Sequence, residues 1–339
     1  MIPANIPLGQ PNWRAELARA VADPAELVRL LDLDPALLPQ ARAAARAFPL
    51  RVPRGFVARM RRGDAHDPLL RQVLPLGAEL ETQAGFVADP TGDLAVARAP
   101  GLLIKYQGRA LIVATGACAV HCRYCFRRHF PYAGENPRAD GWRAALAAIA
   151  ADPSIDEVIL SGGDPLSLSD LRLGELVGEL AALSQLKRLR IHTRHPVVLP
   201  ERVDDALLGW LAPLRLQKVV VLHANHAQEL DADVAAACAR LRDAGATLLN
   251  QSVLLRGVND DVAALAALSE RLFAIGVLPY YLHQLDRVAG AAHFEVPDRE
   301  ALALHSALGA RLPGYLLPRL VREVAGAPAK QALHAGADA

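Results

Sequence analysis

Residues 109–129 read RALIVATGACAVHCRYCFRRH, and the class of fold follows from this segment. The apolar run at 110–115 predicts a buried strand, and the loop after it carries Cys118, Cys122 and Cys125. Three of the chain's four cysteines therefore lie within eight residues, at spacings of four and three. Thiolates are soft ligands that bind iron–sulfur clusters and zinc. This spacing can reach three corners of a cubane cluster, which leaves one iron open to chelate a substrate and pass it an electron.

The same cysteines allow two other interpretations. Zinc could be bound with His121 or His129 as the fourth ligand, or the thiols could be structural with no metal. A disulfide framework does not fit, because disulfide-rich secreted domains spread and pair their cysteines along the chain. The fourth cysteine, Cys238, lies in a helical pattern and is predicted to be a small core residue.

Strands alternate with helices after the cysteine loop. Further strand patterns lie at 157–161, 188–193, 218–223, 247–254 and 277–283. Helical patterns lie around them at 142–150, 171–183, 202–211, 233–244 and 262–275. This alternation predicts parallel strands with right-handed crossovers, and six units predict an α/β fold with an open, partial (β/α)6 barrel. Polar residues follow each predicted strand, and in parallel α/β barrels the active site lies at that edge.

Residues 1–95 have a different pattern. Helical periodicity at 13–33 and 35–48 is followed by a loop-rich stretch with several prolines. We interpret this part as an N-terminal helical cap and linker.

Charge and hydropathy exclude several functional classes. The net charge is +1, which argues against a nucleic-acid binder driven by phosphate contacts. The N-terminus lacks the pattern of a secretory signal, and no apolar run is long enough to cross a bilayer. We therefore expect a soluble cytoplasmic protein with no nucleic-acid or membrane partner.

The cysteine loop, CAVHCRYCFRRH at 118–129, resembles the radical S-adenosylmethionine (SAM) signature of the lysine 2,3-aminomutases. The resemblance continues through SGGDPL, NQSVLL and PYYL, and ends at APAK, at positions 161–166, 250–255, 279–282 and 327–330. It implies a [4Fe-4S] cluster on Cys118, Cys122 and Cys125, together with SAM and pyridoxal 5′-phosphate (PLP). It also divides the chain into the cap and linker at 1–95, a radical SAM partial barrel at 96–300, and a C-terminal PLP-lysine segment at 301–339.

The resemblance implies roles for several cofactor-binding residues. Lys330 would form the Schiff base with PLP, and Arg109 would contact the PLP phosphate. Gly162, Gly163 and Asp164 would contact the amino group of SAM, and Gln251 is assigned to cofactor binding with them. Without the resemblance, Lys330 is a solvated lysine, Arg109 is a solvated strand-edge arginine, and the Gly-Gly-Asp motif is an ordinary strand-to-helix turn.

Lysine as the substrate offers one carboxylate and a distant ammonium group. Arg127 would pair with the carboxylate in a two-pronged contact, while Asp286 and Glu323 would hold the ammonium. Taken alone, Glu323 fits a surface ion pair equally well. The chain departs from the family pattern in two places. Glu323 replaces the aspartate of the lysine-degrading enzymes, and alanines at 327 and 329 replace glycines that the aminomutases have before the PLP lysine.

The resemblance implies an isomerase that converts L-lysine to (R)-β-lysine with the help of a reducing electron donor. Segments 50–56 and 67–73 are similar to the branch that supplies β-lysine for modification of elongation factor P. One alternative is the lysine-degrading aminomutase, whose C-terminal extension carries zinc-binding cysteines; this chain stops nine residues after Lys330, which favours the first interpretation. An alternative of another class is an iron–sulfur or zinc protein without catalysis.

Overall fold

A single ten-stranded sheet organises the structure, a computed structural model that describes residues 12–132 and 142–333. The strands are β1 (Ala97–Ala99), β2 (Leu102–Tyr106), β3 (Arg109–Thr115), β4 (Glu157–Gly162), β5 (Arg188–Thr193), β6 (Gln217–Leu222), β7 (Ala246–Val253), β8 (Leu278–His283), β9 (Arg319–Arg322) and β10 (Gln331–Ala332). They are hydrogen-bonded in chain order. Strands β3 to β9 run parallel, while β1, β2 and the two-residue β10 are antiparallel additions at the edges.

The ends of this sheet do not pair with each other, so the described strands form an open, partial barrel, as the sequence predicts. The six predicted strands are observed with bounds that differ by about one residue, which is normal for element ends. Sequence analysis missed β1 and β2, which form an antiparallel extension beside β3. Residues 301–339 contribute β9, which pairs with β8 and lengthens the parallel run.

Helices connect the strands and cover the outside of the sheet. The α-helices are α1 (Trp13–Ala18), α2 (Pro24–Leu30), α3 (Leu38–Ala47), α4 (Arg54–Val57), α5 (Pro68–Arg71), α6 (Arg143–Ala151), α7 (Asp170–Ala182), α8 (His195–Val198), α9 (Asp205–Leu211), α10 (Ala232–Asp243), α11 (Val262–Ala274) and α12 (Asp298–Arg311). Short 3₁₀ turns lie at Pro35–Leu37, Gly77–Leu80, Leu94–Val96, Pro165–Ser167, Pro200–Arg202, Ala227–Glu229, Ala292–Phe294 and Gly314–Leu316.

Helix α7 illustrates why these segments are helical. Ser169 caps its N-terminus by accepting a hydrogen bond from the backbone N–H of Arg172. Its buried side chains recur at positions 173, 176, 177 and 180, which places them on one face. Each leucine or valine buried in this way contributes about 1.5–3 kcal/mol relative to an exposed position.

The N-terminal region is a set of short helices whose apolar side chains join the barrel core. The helical pattern predicted over 13–33 is two helices, because Asp23 caps a new helix that starts at Pro24. Leu27, Phe56 and Leu69 are fully buried and belong to the same apolar cluster as the inner strands.

A buried ion-pair group ties this N-terminal region to the cysteine loop. Arg123 Nε donates to Glu79 Oε1 at 2.9 Å, and Arg128 Nη2 donates to Glu79 Oε2 at 2.9 Å. All three side chains are almost fully buried. The Glu79 carboxylate is therefore shared by the two guanidinium groups that flank Cys125.

Replacing Glu79 with alanine is expected to lower the free energy of unfolding by about 3–5 kcal/mol, because two buried cations lose their counter-charge. Urea titration of the metal-free protein measures the change. Glu26→Ala is the matched control, because its pair with Arg54 is partly exposed and is expected to contribute less than about 1 kcal/mol. A loss of under about 1 kcal/mol for Glu79→Ala would contradict the assigned role.

The helices described in residues 12–132 and 142–333 include none that is long and apolar enough to span a membrane.

Candidate active site

The three loop cysteines lie together directly after β3, each as a partly exposed free thiol. Burial raises the pKa of Cys118 well above its usual value, and the nearby Asp164 carboxylate raises it further. Burial likewise raises the pKa of Cys125 to about 11, with a further contribution from Cys122. Both groups are therefore protonated in the metal-free protein at neutral pH, and ligation must release these protons.

The two histidines predicted as possible zinc ligands have other partners. His121 Nδ1 lies 2.9 Å from the carbonyl oxygen of Pro49, and its ring stacks on Phe48. His129 Nε2 lies 3.1 Å from the carbonyl oxygen of Ala289. Across the described parts of the chain, no group of three or more His, Cys, Asp or Glu side chains is arranged to hold a single metal ion. A cubane cluster instead spreads its thiolates over separate irons, so the donor set of three cysteines fits a cluster.

The Gly-Gly-Asp motif packs the end of β4 against the cysteine loop. Gly162 has φ +123°, and a Cβ atom there would lie 2.5 Å from the carbonyl oxygen of Thr115. A Cβ atom on Gly163 would lie 2.5 Å from the carbonyl oxygen of Ala117. Both glycines are therefore required because the two backbones approach each other closely.

The Asp164 carboxylate is almost fully engaged inside the protein. Oδ1 accepts from the hydroxyl of Thr193 at 2.8 Å, and Oδ2 accepts from the backbone N–H of Arg194 at 2.7 Å. His195 Nδ1 also lies 2.9 Å from Oδ2. Burial alone would raise the pKa of Asp164, but His195 and these hydrogen bonds outweigh it and lower the pKa. Asp164 thus joins the ends of β4 and β5, a role that sequence analysis did not predict.

Lys330 lies in a group of charges that connects the two ends of the open sheet. Its Nζ is 2.8 Å from Glu323 Oε2, while Tyr106 donates to Glu323 Oε1 at 2.6 Å. Lys105 Nζ is 3.3 Å from the same Oε1 atom. Lys105 and Tyr106 belong to β2, whereas Glu323 follows β9, so these contacts bridge the opening of the partial barrel. The Glu323 side chain is only 9% exposed, so it does not form a surface ion pair.

A second buried carboxylate extends this group to the cysteine loop. Lys105 Nζ is 2.6 Å from Asp93 Oδ1, and Arg127 Nε donates to Asp93 Oδ2 at 2.6 Å. Arg127 Nη1 donates to Ser161 Oγ at 3.1 Å. Burial would raise the pKa of Asp93, but Arg127 and Lys105 outweigh it and lower the pKa to about 2. We call this continuous series the charge chain; its members are Arg127, Asp93, Lys105, Glu323 and Lys330.

Asp286 lies beyond the end of β8, and the pKa of its carboxyl group is raised. Burial raises its pKa to about 7, against the opposing effect of the Lys330 cation, while the Glu323 carboxylate favours the protonated form. An added cation next to these two carboxylates would favour ionised Asp286.

Three histidines at or directly after strand ends face the same region. Burial lowers the pKa of His192 and His283 well below the usual value and lowers that of His223 to about 4, and Lys330 acts in the same direction on each. All three are therefore neutral at pH 7. The Nε2 atom of each is buried and has no hydrogen-bond partner among the described residues. Buried polar atoms are normally paired, so these three nitrogens fit an additional bound polar group.

Arg109 lies at the opposite end of the barrel from the cysteines, at the start of β3. It lines a cavity of about 340 Å³ together with Arg188, Arg190 and Tyr280. Asp156 and Glu157 also line the cavity and pair with Arg188 and Arg190, whereas Arg109 has no ion-pair partner among the described residues. This end of the barrel can therefore hold an anionic group.

Gln251 lies on β7 beside Tyr281 of β8 in the sheet register. Leu249, two residues earlier, lines the same cavity as Arg109. Side chains two apart share a face of a strand, so Gln251 faces the barrel interior above that cavity.

Comparison with known proteins identifies the family of this chain. Residues 112–268 match the family model of the radical SAM superfamily. The chain is 50% identical to the L-lysine 2,3-aminomutase of Escherichia coli (strain K12), over 95% of this chain and 94% of that protein. This chain belongs to the L-lysine 2,3-aminomutase family. It is also 47% identical to the Haemophilus influenzae L-lysine 2,3-aminomutase, over 94% of both chains, and 35% identical to that of Clostridium subterminale, over 79% of this chain and 64% of that one.

Membership of the L-lysine 2,3-aminomutase family confirms the predicted radical SAM fold and the predicted enzyme class, whereas the assignment of the cluster to the cysteine loop stays a prediction. A radical SAM enzyme uses a [4Fe-4S] cluster and SAM, so zinc binding and a non-catalytic role are no longer needed to explain the cysteines. Sequence analysis missed Asp93, Lys105 and Tyr106, which lie in stretches without a recognisable pattern. It assigned no role to the three histidines, although it noted that polar residues follow the predicted strands.

Proposed function

We propose that this chain converts L-lysine to (R)-β-lysine by moving the amino group from C2 to C3. The charge chain supports this proposal, because it places a lysine amine and two carboxylates in one buried group that reaches the cysteine loop. A substrate with a carboxylate at one end and an ammonium at the other needs both kinds of partner. Family membership supports the same reaction.

We further propose how the chain holds its cofactors. Cys118, Cys122 and Cys125 would bind the [4Fe-4S] cluster, and backbone groups of Gly162 and Gly163 would contact SAM, since the Asp164 carboxylate is engaged elsewhere. Lys330 would hold PLP covalently. Two features of the described residues fit PLP. The Nε2 atoms of the three histidines lack partners, and the cavity at Arg109 could take the phosphate. Gln251 faces the barrel interior and would contact a bound cofactor there.

When bound, the cluster and SAM supply the radical that takes hydrogen from C3 of lysine, and PLP supplies the conjugated system that allows the nitrogen to move. Arg127 would orient the substrate carboxylate. Its Nε donates to Asp93 and its Nη1 donates to Ser161. Nη2 has no partner in the described residues, so this nitrogen could donate to the substrate carboxylate.

Asp286 and Glu323 would hold the substrate ammonium. Glu323 currently binds Lys330 Nζ, and covalent use of that amine would release a carboxylate oxygen for the substrate. Asp286 would give up its proton as the cation arrives, because a neighbouring cation stabilises the carboxylate. The contacts between β2 and Glu323 also close the barrel opening and limit access of water.

The affinity for 6-aminohexanoate, a lysine analogue without the α-amino group, is expected to rise about tenfold between about pH 6 and pH 8 and to level off above it. Asp286 has a pKa of about 7, so it is neutral at the lower pH and becomes an anion as the pH rises. The three buried histidines stay neutral throughout this range. Calorimetry on the protein without PLP, in which Lys330 keeps the positive charge that acts on Asp286, measures the affinity.

Asp286→Asn is the control for this titration, and its affinity should be low and independent of pH. A flat profile for the unchanged protein over the same range would contradict the assignment of Asp286 to the ammonium.

An anaerobic assay tests the proposed reaction. The reconstituted protein is incubated with SAM, PLP, a strong reductant and L-lysine, and β-lysine is followed by mass spectrometry. Appearance of β-lysine supports the proposal. Cleavage of SAM with unchanged lysine would retain the radical chemistry and reject the substrate, and the absence of both in cluster-loaded protein would reject the proposal as a whole.

We also propose that the β-lysine serves the modification of elongation factor P in the cytoplasm. Segments 50–56 and 67–73, which are similar to that branch, form part of the N-terminal region that packs on the barrel, and four free cysteines agree with a reducing compartment. In cells lacking this chain, elongation factor P should lose the mass of one lysyl group, and supplied β-lysine should restore it. Unchanged elongation factor P would reject this role and leave the lysine reaction intact.

A further inference from the structure

A buried guanidinium group contacts one of the three loop cysteines. Arg194 directly follows β5, and its Nη1 donates to Cys122 Sγ at 2.8 Å. The residue is 5% exposed. Among the residues that the structure describes, Cys122 is the loop cysteine whose sulfur accepts a side-chain hydrogen bond, so this contact distinguishes one ligand from the other two.

The second half of the same guanidinium is held by the N-terminal region and by the turn after β6. Arg194 Nη2 donates to Glu229 Oε2 at 2.9 Å and to Gln72 Oε1 at 2.6 Å. Both partners are fully buried. The guanidinium is therefore fixed between two acceptors and the thiol, and a rotation away from Cys122 would break both contacts.

Glu229 is itself held rigidly. Its Oε1 accepts from the backbone N–H of Asn225 at 2.8 Å and of His226 at 3.0 Å. Gln72 Nε2 donates to the same oxygen at 3.1 Å. The negative charge thus sits at a defined position behind the positive one, with Arg194 between it and Cys122.

We propose that Arg194 and Glu229 are positioning residues with opposite effects on the reduction potential of the cluster. A hydrogen bond and a positive charge at a ligand sulfur stabilise the reduced cluster and raise its potential. Glu229 opposes this effect, because its charge offsets that of Arg194 in a buried environment where charges are weakly screened. The cluster must be a strong reductant to cleave SAM. Arg194 and Glu229 together would set its midpoint potential and therefore its reducing strength.

This inference depends on the cluster site and not on the substrate. Its test needs neither lysine nor PLP. A failure of the proposed lysine reaction would leave it standing, and its own failure would leave the lysine reaction standing.

The test is a reductive titration of the reconstituted protein without SAM, monitored by electron paramagnetic resonance, with iron and sulfide counted for each variant. Arg194→Gln removes the charge and is expected to lower the midpoint potential. Glu229→Gln is expected to raise it. Arg194→Gln should alter the ratio of reduced to oxidised cluster at a fixed potential by about tenfold, which is about 59 mV for one electron. Glu229 lies behind Arg194 and further from the sulfur, so Glu229→Gln should alter the same ratio by about threefold.

Two further variants separate tuning from a structural effect. Arg194→Lys keeps the positive charge but loses the two-pronged guanidinium that contacts Cys122 and Glu229 at once. The midpoint potential of its cluster should lie between those of the unchanged protein and of Arg194→Gln. The double variant, Arg194→Gln with Glu229→Gln, leaves no unpaired buried charge and should lie above Arg194→Gln and below the unchanged protein.

Arg202→Gln is the matched control. Arg202 is fully buried and pairs with Asp170 at 2.7 Å, and its other hydrogen bonds go to Leu166 and Leu168 rather than to the cysteine loop. This variant should lose stability and keep the potential of the unchanged protein.

Opposite shifts in the two single variants support the proposal. Shifts in the same direction, or changes of under about twofold in the reduced-to-oxidised ratio with a full cluster, would overturn it. If neither single variant binds a full cluster, the double variant decides, because an unchanged potential in that protein would overturn the proposal as well.

Discussion

Protein with Cys122 replaced by alanine is expected to cleave less than about 1% as much SAM as the unchanged protein, because one iron of the cluster loses its ligand. The structure adds a second reason, since the Arg194 guanidinium that contacts this thiol would lose an acceptor in a buried site. Formation of 5′-deoxyadenosine under a strong reductant, followed by chromatography and mass spectrometry, measures the effect.

Cys238→Ala is the matched control for this change. Cys238 is a fully buried free thiol on α10, away from the loop, so its loss should reduce stability and leave SAM cleavage intact. Normal cleavage by Cys122→Ala protein with a complete cluster would mean that the cluster ligands are wrongly assigned.

Lys330→Ala is expected to lower β-lysine formation by at least about a thousandfold while SAM cleavage continues in part. The amine that would hold PLP is gone, but the cysteine loop is untouched. Glu323 keeps its contacts with Lys105 and Tyr106, so the bridge across the barrel opening should persist. Product formation and 5′-deoxyadenosine are measured in the same reaction.

A chemical measurement on the same protein identifies the attachment site directly. Borohydride reduction of PLP-loaded protein should leave a modified peptide that contains Lys330, and this peptide should be absent from the Lys330→Ala variant. Lys187→Ala serves as the control, because this lysine is 68% exposed and pairs with Asp156. The assignment of Lys330 fails if the variant forms β-lysine at the normal rate.

Local patterns predicted most of the fold. The strands and helices from β3 to β8 have clear periodicity within short windows, so their order and approximate bounds could be read without knowing their neighbours. Helical spacing continues across the break between α1 and α2, and the residues that mark this break are Asp23 and Pro24, which cap and start a new helix. The edge strands β1 and β10 are too short to produce a pattern.

The candidate site was predictable only where its residues are close in sequence or follow a strand. The cysteines meet both conditions. Asp93, Gln72 and Lys105 do not, and they reach the site through contacts with residues far away in the chain. Asp164 shows the opposite case, since its position after β4 suggested ligand binding while its hydrogen bonds connect two strands.

Strand β2 and the segment after β9 lie near opposite edges of the sheet. They contact each other through side chains, and β2 and β9 share no backbone pairing. A barrel closed by backbone hydrogen bonds could open only if several of those bonds broke. This junction instead consists of two ammonium groups and one tyrosine hydroxyl that contact a single carboxylate. An added cation that binds Glu323 would compete with Lys105 and Lys330 for that carboxylate. The proposed substrate carries such a cation at the end of its side chain, so lysine itself would weaken the junction beside its proposed binding site.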